Sequence, residues 1–594
     1  MGAAGAKSSP TGDPDNHYLR VVARLKPGVH LTQAQSEMAA VAVQLAHDYP
    51  ETNTNLGAVV ISLRDQLVGD LKPALHAVAV AAGFVLLITC ANLAALGAGR
   101  ARLIRQMLVE SLLLGSLGGM AGIAIAIWAT TFLRHLVPLS LTTWSEPKVD
   151  FSALAFLFFV SVAASMMFGI LPALVLSQGD TMAGLQRGGR AGIGGGAQWR
   201  RALIVSEVAI AAVLLIGAGL LTQTLWDLSH APLGFEPTGV LTLRTSLPIT
   251  SDSFYRSFIS RSQFFSQVLE RVASLPGVIS AGYTTFLPLT NAGGTSSFVI
   301  EGAEPPPPGR INDANHRVIS PDYLQTLVVR LRAGRFFRES DAPDTAPVAI
   351  VNEAMARQYL AGRNPLGRRF RVDGNAPWIT IVGVVDDVRQ MGLDLESRPE
   401  VYFPYTQPAG SYGYFTPRDL AVRVKGDPIS YATIVQREIW AIDRNQPVAD
   451  VMPMEQLIAE KLESRYVAVK LIGTFAGLGI LLAALGLYGL LAYSVVQRRS
   501  EIGVRMALGA RPRQVLQTIV AEGLQLVLCG RILGTAGSWF VMRGLRSLLY
   551  GVAPTDIQIF IGSALVLLIV GAIASYLPAH RAAAIEPLAA LSHE

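Results

Sequence analysis

The chain holds two cysteines, Cys90 and Cys529, each inside an apolar run, so neither a disulfide framework nor a thiolate metal site can be built from it. Charged side chains make up only 15% of the residues, which is sparse for the surface of a soluble protein of 594 residues. The formal net charge of +6 comes from arginines grouped beside apolar segments, a topology signal rather than a nucleic-acid-binding face. No Gly-x-x-x-x-Gly-Lys-Ser/Thr, His-Glu-x-x-His, Gly-x-Ser-x-Gly or Cys-x-x-Cys sequence occurs, and the nine histidines scatter without ligand spacing. ATP hydrolysis, zinc proteolysis and serine hydrolysis therefore lack their groups. No catalytic, cofactor-binding or metal-binding residue is expected, and the chain reads as a non-enzyme.

What is present is apolar: 51% of residues are hydrophobic and the mean hydropathy is +0.40. Seven segments are long enough to cross a bilayer, near 74–97, 107–134, 151–177, 202–224, 467–494, 516–542 and 557–579. Arg100, Arg102 and Arg105 follow the first, Arg187, Arg190, Arg200 and Arg201 the third, and Arg498, Arg499, Arg505, Arg511 and Arg513 the fifth. By the positive-inside rule these three loops are cytoplasmic, which puts 1–73, 135–150, 225–466 and 543–556 outside and the C-terminal tail inside. With residues 1–73 outside and no span or signal before them, the pattern anticipates a further span upstream of Met1.

The polar regions carry a different period. Between 225 and 466, runs such as GVLTLRTSL, VISAGYTTF, SSFVIEG, VAIVNEAMARQYL, WITIVGVVDDV, EVYFPY and LAVRVKG alternate with the helical FYRSFISRSQFFSQVLERVASLPG, which implies a mixed α/β domain. Residues 1–72 read as strand, helix, strand: YLRVVARLKPG, TQAQSEMAAVAVQLAHDYPE, VVISLRDQL. The stretch 178–201, with RGGRAGIGGGAQWRR, reads as a flexible linker, and EPPPPG at 304–309 as a polyproline surface loop.

The chain also repeats itself. ALGAGRARLIRQMLVES from Ala95 aligns without gaps on ALGARPRQVLQTIVAEG from Ala507, and LPALVLSQGDTMAGL from Leu171 on LPAHRAAAIEPLAAL from Leu577. A match across a loop, two apolar segments and their exit indicates internal duplication.

The stretch Gln497–Glu522, QRRSEIGVRMALGARPRQVLQTIVAE, lies between two spans and resembles the loop of FtsX/MacB-type permeases, the membrane subunits of type VII ABC transporters. GFEPTGVLTLRTSLP, PDYLQTL, VNEAMARQYL, IVGVVDDVRQMGL, RPEVYFPY and SLLYGVAPTD carry the likeness over the rest of the chain, whose two-part layout is similar to duplicated acidobacterial permeases. The resemblance implies a membrane α-helical bundle of about seven spans with extracytoplasmic mixed α/β domains. It divides the chain into 1–73, the end of a first MacB-like periplasmic domain; 74–177, a first FtsX-like three-span domain; linker 178–201; span 202–224; a second MacB-like periplasmic domain 225–466; and a second FtsX-like domain 467–594 with coupling loop 495–515.

The same resemblance implies a multi-pass protein of the bacterial inner membrane, coupled to a separate MacB-type ATPase and in some systems to a periplasmic adaptor, for efflux or release of a substrate. Glu501, Ile502, Arg505, Ala507, Leu508, Gly509 and Ala510 would form the coupling contact, charges pairing with the ATPase and small residues permitting close approach. A non-transporting mechanotransmitter and a degenerate inactive copy are the alternatives. The first copy runs from TCANLA straight into ALGAG, so it lacks the Glu-Ile-x-x-Arg core.

Three further features have plain readings. Asp386 and Asp387 suggest a metal or acid/base pair, but neighbours on a strand point to opposite faces, which favours a strand-end turn. Glu110 and Glu522, equivalent in the repeat, fit interfacial helix-terminal charges. Arg531 falls mid-span, where it should face the bundle or local water.

Overall fold

Two hydrophobic periods divide the chain: long apolar runs that wind into helices, and short alternating runs that pair as strands. The computed structural model describes residues 22–50, 57–63, 65, 72–96, 113, 116–128, 130, 151–152, 154–163, 194–247, 254–290, 294–304, 312–360, 362–372, 377–407, 416–544, 549–553 and 555–584. Its main helices are α1 (Leu31–Asp48), α2 (Lys72–Leu96), α3 (Gly194–Ser229), α4 (Phe258–Ala273), α5 (Glu353–Tyr359), α6 (Ala432–Ile442), α7 (Met454–Gln497), α8 (Arg499–Ala507), α9 (Pro512–Gly544) and α10 (Ile557–Ala583). The chain divides into two compact units, 1–69 with 230–462 and 70–229 with 463–594.

The first unit is built on one twelve-stranded sheet. Its strands are β1 (Val240–Thr245), β2 (Val278–Thr284), β3 (Gly294–Ser297), β4 (Val299–Ile300), β5 (Asp313–Ile319), β6 (Leu331–Gly334), β7 (Val348–Asn352), β8 (Arg369–Arg371), β9 (Ile379–Val385), β10 (Glu400–Pro404), β11 (Asp419–Val424) and β12 (Val448–Pro453). They run in the order β12-β1-β11-β2-β5-β10-β7-β9-β8-β4, with β3 on β5 and β6 on β9. The pairs β5/β10 and β7/β9 are parallel, the others antiparallel. The sheet is therefore mixed.

α4 covers the sheet because Phe264, Phe265, Val268 and Val272 fall on one helical face and are buried, and Ser257 caps its first turn by accepting from the Ile259 amide. They join Val435 and Ile439 of α6 and Leu241, Leu243, Leu420 and Val422 of the sheet in a single core. Across β5 and β10 the sheet also buries charge: Arg317 Nε donates to Glu400 Oε1 at 2.5 Å, and Tyr402 donates to Glu400 Oε2 at 2.9 Å.

Sequence and structure differ at the N-terminal region. α1 forms as expected, but 22–26 and 57–62 make no strand. A ladder needs a neighbouring backbone, and here the Gln35 side chain takes that place, donating to the Ala58 carbonyl and accepting from the Val60 amide, both at 2.7 Å.

In the second unit, four helices among the described residues are long and apolar enough to cross a membrane: Arg200–Ser229, Arg465–Gln497, Pro512–Arg543 and Ile557–Ala583. Shorter apolar helices at Leu75–Thr89, Ser116–Trp128 and Leu154–Ala163 fall within the first three expected spans, most of the rest of which lies outside the described residues. α3 begins at Gly194, inside the expected linker 178–201, so its apolar run carries the helix back through weak helix formers. Glycines let α9 approach α3 closely: a Cβ at Gly530 would lie 2.6 Å from the Val208 Cβ, and one at Gly534 2.6 Å from the Ala209 carbonyl oxygen. The repeat segments 97–111 and 171–185, the arginines of the first loop, Glu110 and most of EPPPPG lie outside the described residues.

Candidate functional site

α7 ends at Gln497, and the chain makes the nine-residue helix α8 before starting α9 at Pro512. Glu501 in the first turn and Arg505 in the last complement the helix dipole. Arg505 Nη2 also donates to Glu501 Oε1 at 2.6 Å, an i,i+4 pair that adds roughly 0.2–0.5 kcal/mol to so short a helix. Gly509 stops it. With φ of 99°, Gly509 donates to the Met506 carbonyl and Ala510 to the Arg505 carbonyl, at 3.1 and 3.0 Å, the double bond of a Schellman termination. Arg511 then donates its amide to Gln514 Oε1 at 3.0 Å, and Pro512 opens α9.

The two faces of α8 differ. Ile502 and Met506 pack against the apolar cluster that includes Leu491, Val515 and Ile519, and Gly503 is buried. Glu501, Val504, Arg505, Ala507, Leu508 and Gly509 are exposed, Leu508 at 83%. Of the seven expected contact residues, five thus face outward, Ile502 anchors the helix, and half-buried Ala510 lines a cavity of about 290 Å³. The cavity lies among the end of α7, α8 and the start of α9, with Ser494, Arg498, Gln514, Thr518 and Glu522 in its wall. Val504 was missed by sequence reasoning; its exposure follows from lying three residues before Arg505's outward neighbour Ala507.

Glu522 accepts from Arg201 of α3 and lies 3.5 Å from Arg498, so one carboxylate ties three helices at this end of the unit. The Arg200 guanidinium lies over the Tyr493 ring, 4.4 Å from its centroid. The arrangement carries an apolar knob, Leu508, flanked by an ion pair on a helix held from beneath. It offers recognition rather than bond chemistry.

The other singled-out residues have structural partners. Asp386 pairs with Arg332, while Asp387 accepts from the Ala354 amide at 2.7 Å and from Arg357 at 2.6 Å, so both acids brace the end of β9. No group of three metal-ligating side chains occurs among the described residues. Arg531 is turned toward α10, donating to Thr535 Oγ1, the Phe560 carbonyl and Ser563 Oγ. Glu207 of α3, hidden from sequence reasoning by its apolar surroundings, is fully buried with neither carboxyl oxygen hydrogen-bonded.

A sheet-based α/β unit joined to helices long and apolar enough to cross a membrane, with a short amphipathic helix between two of them, defines the class as a membrane protein with a large polar domain. The family of MacB-like periplasmic core domains matches residues 202–437, and the FtsX-like permease C-terminal family matches 473–587. The chain belongs to the MacB/FtsX-type ABC transporter permeases.

It is 28% identical over 290 residues to the uncharacterized ABC transporter permease YknZ of Bacillus subtilis, covering 48% of this chain and 70% of that one. It is 27% identical over 314 residues to the macrolide export ATP-binding/permease protein MacB 2 of Aeromonas hydrophila, covering 50% of this chain and 47% of the relative. The chain therefore spans about half the length of that relative. The crystal structure of the periplasmic region of MacB from Actinobacillus actinomycetemcomitans aligns with 38% of this chain and 92% of its own length, at 14% identity and a TM-score of 0.27. The family assignment rests on the sequence matches.

Proposed function

We propose that the chain is the membrane subunit of an ABC system of the bacterial inner membrane, driven by a separate ATPase that docks on α8 from the cytoplasm. The observation that carries this reading is the two-faced build of α8: Ile502 and Met506 anchor it, while Glu501, Val504, Arg505 and Leu508 face outward. A helix fixed on one side and exposed on the other passes a push from a bound partner into α7 and α9, its covalent neighbours. The 594 residues hold no Walker A sequence, so the nucleotide-hydrolysing site of such a system lies outside them.

In this reading the chain is an internally duplicated, multi-pass protein with about seven spans. Residues 1–73 and 225–466 stand outside the membrane, and their motion expels or releases a substrate, with or without a periplasmic adaptor.

The test is co-purification with the cognate ATPase. Burying a leucine side chain contributes roughly 1.5–3 kcal/mol, so Leu508→Asp should weaken ATPase binding by about tenfold or more. Ile502→Ala should lower thermal stability instead. Undiminished ATPase binding by Leu508→Asp would refute docking through α8.

A further inference from the structure

Arg531 lies inside the span Pro512–Arg543, and only 8% of the residue is exposed. Its Nη1 donates to Thr535 Oγ1 at 2.5 Å, and its Nη2 to the Phe560 carbonyl at 2.6 Å and to Ser563 Oγ at 3.2 Å. All three acceptors are neutral. The buried Nε has no hydrogen-bond partner, and no ion pair to Arg531 occurs among the described residues. Asp556, the acid nearest to Phe560 in the chain, is committed to capping α10, accepting from the amides of Gln558 and Ile559. Neutral dipoles replace only part of the hydration a guanidinium loses, so a cation withdrawn into a span without a counter-charge is left incompletely stabilised.

The same guanidinium forms part of the wall of an open cavity of about 450 Å³. Thr535 and Thr555 contribute hydroxyls to the wall, and Ile532, Ile557 and Ile561 contribute apolar surface. These isoleucines are 68%, 72% and 64% exposed, on helices whose apolar length is that of membrane spans, so this wall faces lipid. Positive charge, the Thr555 hydroxyl and a greasy flank on one lipid-facing cavity match the two ends of an amphiphile.

We propose that this cavity is a phospholipid site, which takes the phosphate of an anionic glycerophospholipid beside Arg531 and lays its acyl chains along Ile532, Ile557 and Ile561. A non-bridging phosphate oxygen accepts from the Thr555 hydroxyl and gains the guanidinium charge, while the Thr535 hydroxyl stays donated to the Arg531 carbonyl. Isoleucines contribute nothing to a free anion, which is why the ligand is a lipid.

The test is native mass spectrometry of the purified full chain released from mixed micelles of phosphatidylglycerol and phosphatidylcholine, with sn-glycerol 1-phosphate as a headgroup without chains. Retention of phosphatidylglycerol should exceed that of phosphatidylcholine by about tenfold, because phosphatidylcholine brings the same phosphate together with a choline cation that the unpaired guanidinium repels. Arg531→Met should erase that preference, Arg531→Lys should keep part of it, and sn-glycerol 1-phosphate should neither bind nor compete. Ile561→Trp, which fills the cavity and leaves Arg531 untouched, should lower retention of phosphatidylglycerol; it keeps the proposal testable if Arg531→Met fails to fold. Equal preference in wild type and Arg531→Met would overturn the site. So would competition by sn-glycerol 1-phosphate, or retention unchanged by Ile561→Trp.

Discussion

Arg201, at the start of the span Arg200–Ser229, donates to the carboxylate of Glu522 in α9, whose other oxygen lies 3.5 Å from Arg498, the residue before α8. The pose of α8 is thus set partly by charge contributed from α3. Because these side chains are 22–50% exposed, the pairs stabilise the fold by less than about 1 kcal/mol. Glu522→Gln should leave the melting temperature nearly unchanged while speeding amide exchange across 499–507 several-fold. Exchange at the wild-type rate would mean that Glu522 does not hold α8.

The pair Arg317–Glu400 behaves oppositely, since both side chains are buried. Burial pushes the Glu400 carboxyl up, and Arg317 and Tyr402 offset this. Removing one partner leaves a buried charge, so Glu400→Ala should cost about 3–5 kcal/mol in urea unfolding of the sheet unit. The double variant Arg317→Met with Glu400→Leu should recover most of that loss. A double variant as unstable as the single one would show that the pair cannot be replaced by apolar packing.

His316, next on β5, is buried beside the Arg317 charge, and burial first, then that charge, pushes its pKa from the ordinary 6.5 down to about 3. The folded state holds the imidazole neutral where the unfolded state would protonate it. Its contribution is complete above pH 6.5 and is lost as the pH falls towards 3, at about 1.4 kcal/mol per unit. Unfolding midpoints measured between pH 7 and 5 should fall with pH in the wild type and flatten in His316→Asn. An unchanged slope in the variant would assign the effect to other groups.

Glu207 is buried in α3 without a hydrogen bond to either carboxyl oxygen. An unsatisfied buried polar group costs about 1–3 kcal/mol, so Glu207→Leu should raise the melting temperature of the purified chain. A drop would show that the carboxyl has a partner in the working protein.

The loop from Arg498 to Pro512 was legible in the sequence because every device in it is local: Glu501 and Arg505 four apart, Gly509 as the stop, and Pro512 as the next start. β5 was not. Its Asn315, His316 and Arg317 break the apolar alternation expected of a buried strand, and Arg317's counter-charge, Glu400, stands 83 residues away. On either side of α1 the converse holds: among the described residues, 22–26 and 57–62 carry an alternating pattern but pair with no neighbouring strand. Glu207 and the clamp at Glu522 depend on which helices pack together, which no window of sequence contains.

The most direct measurement compares the two loops of the repeat. α8 carries the Glu501–Arg505 pair, whereas the first copy passes from TCANLA into ALGAG without that core, so coupling should depend on the second loop alone. ATPase activity of the cognate nucleotide-binding subunit, stimulated by the reconstituted chain, would be measured for Glu501→Lys with Arg505→Glu and for Arg102→Glu with Arg105→Glu. Loss of stimulation in the first double variant with wild-type activity in the second is the predicted result; comparable loss in both would contradict it.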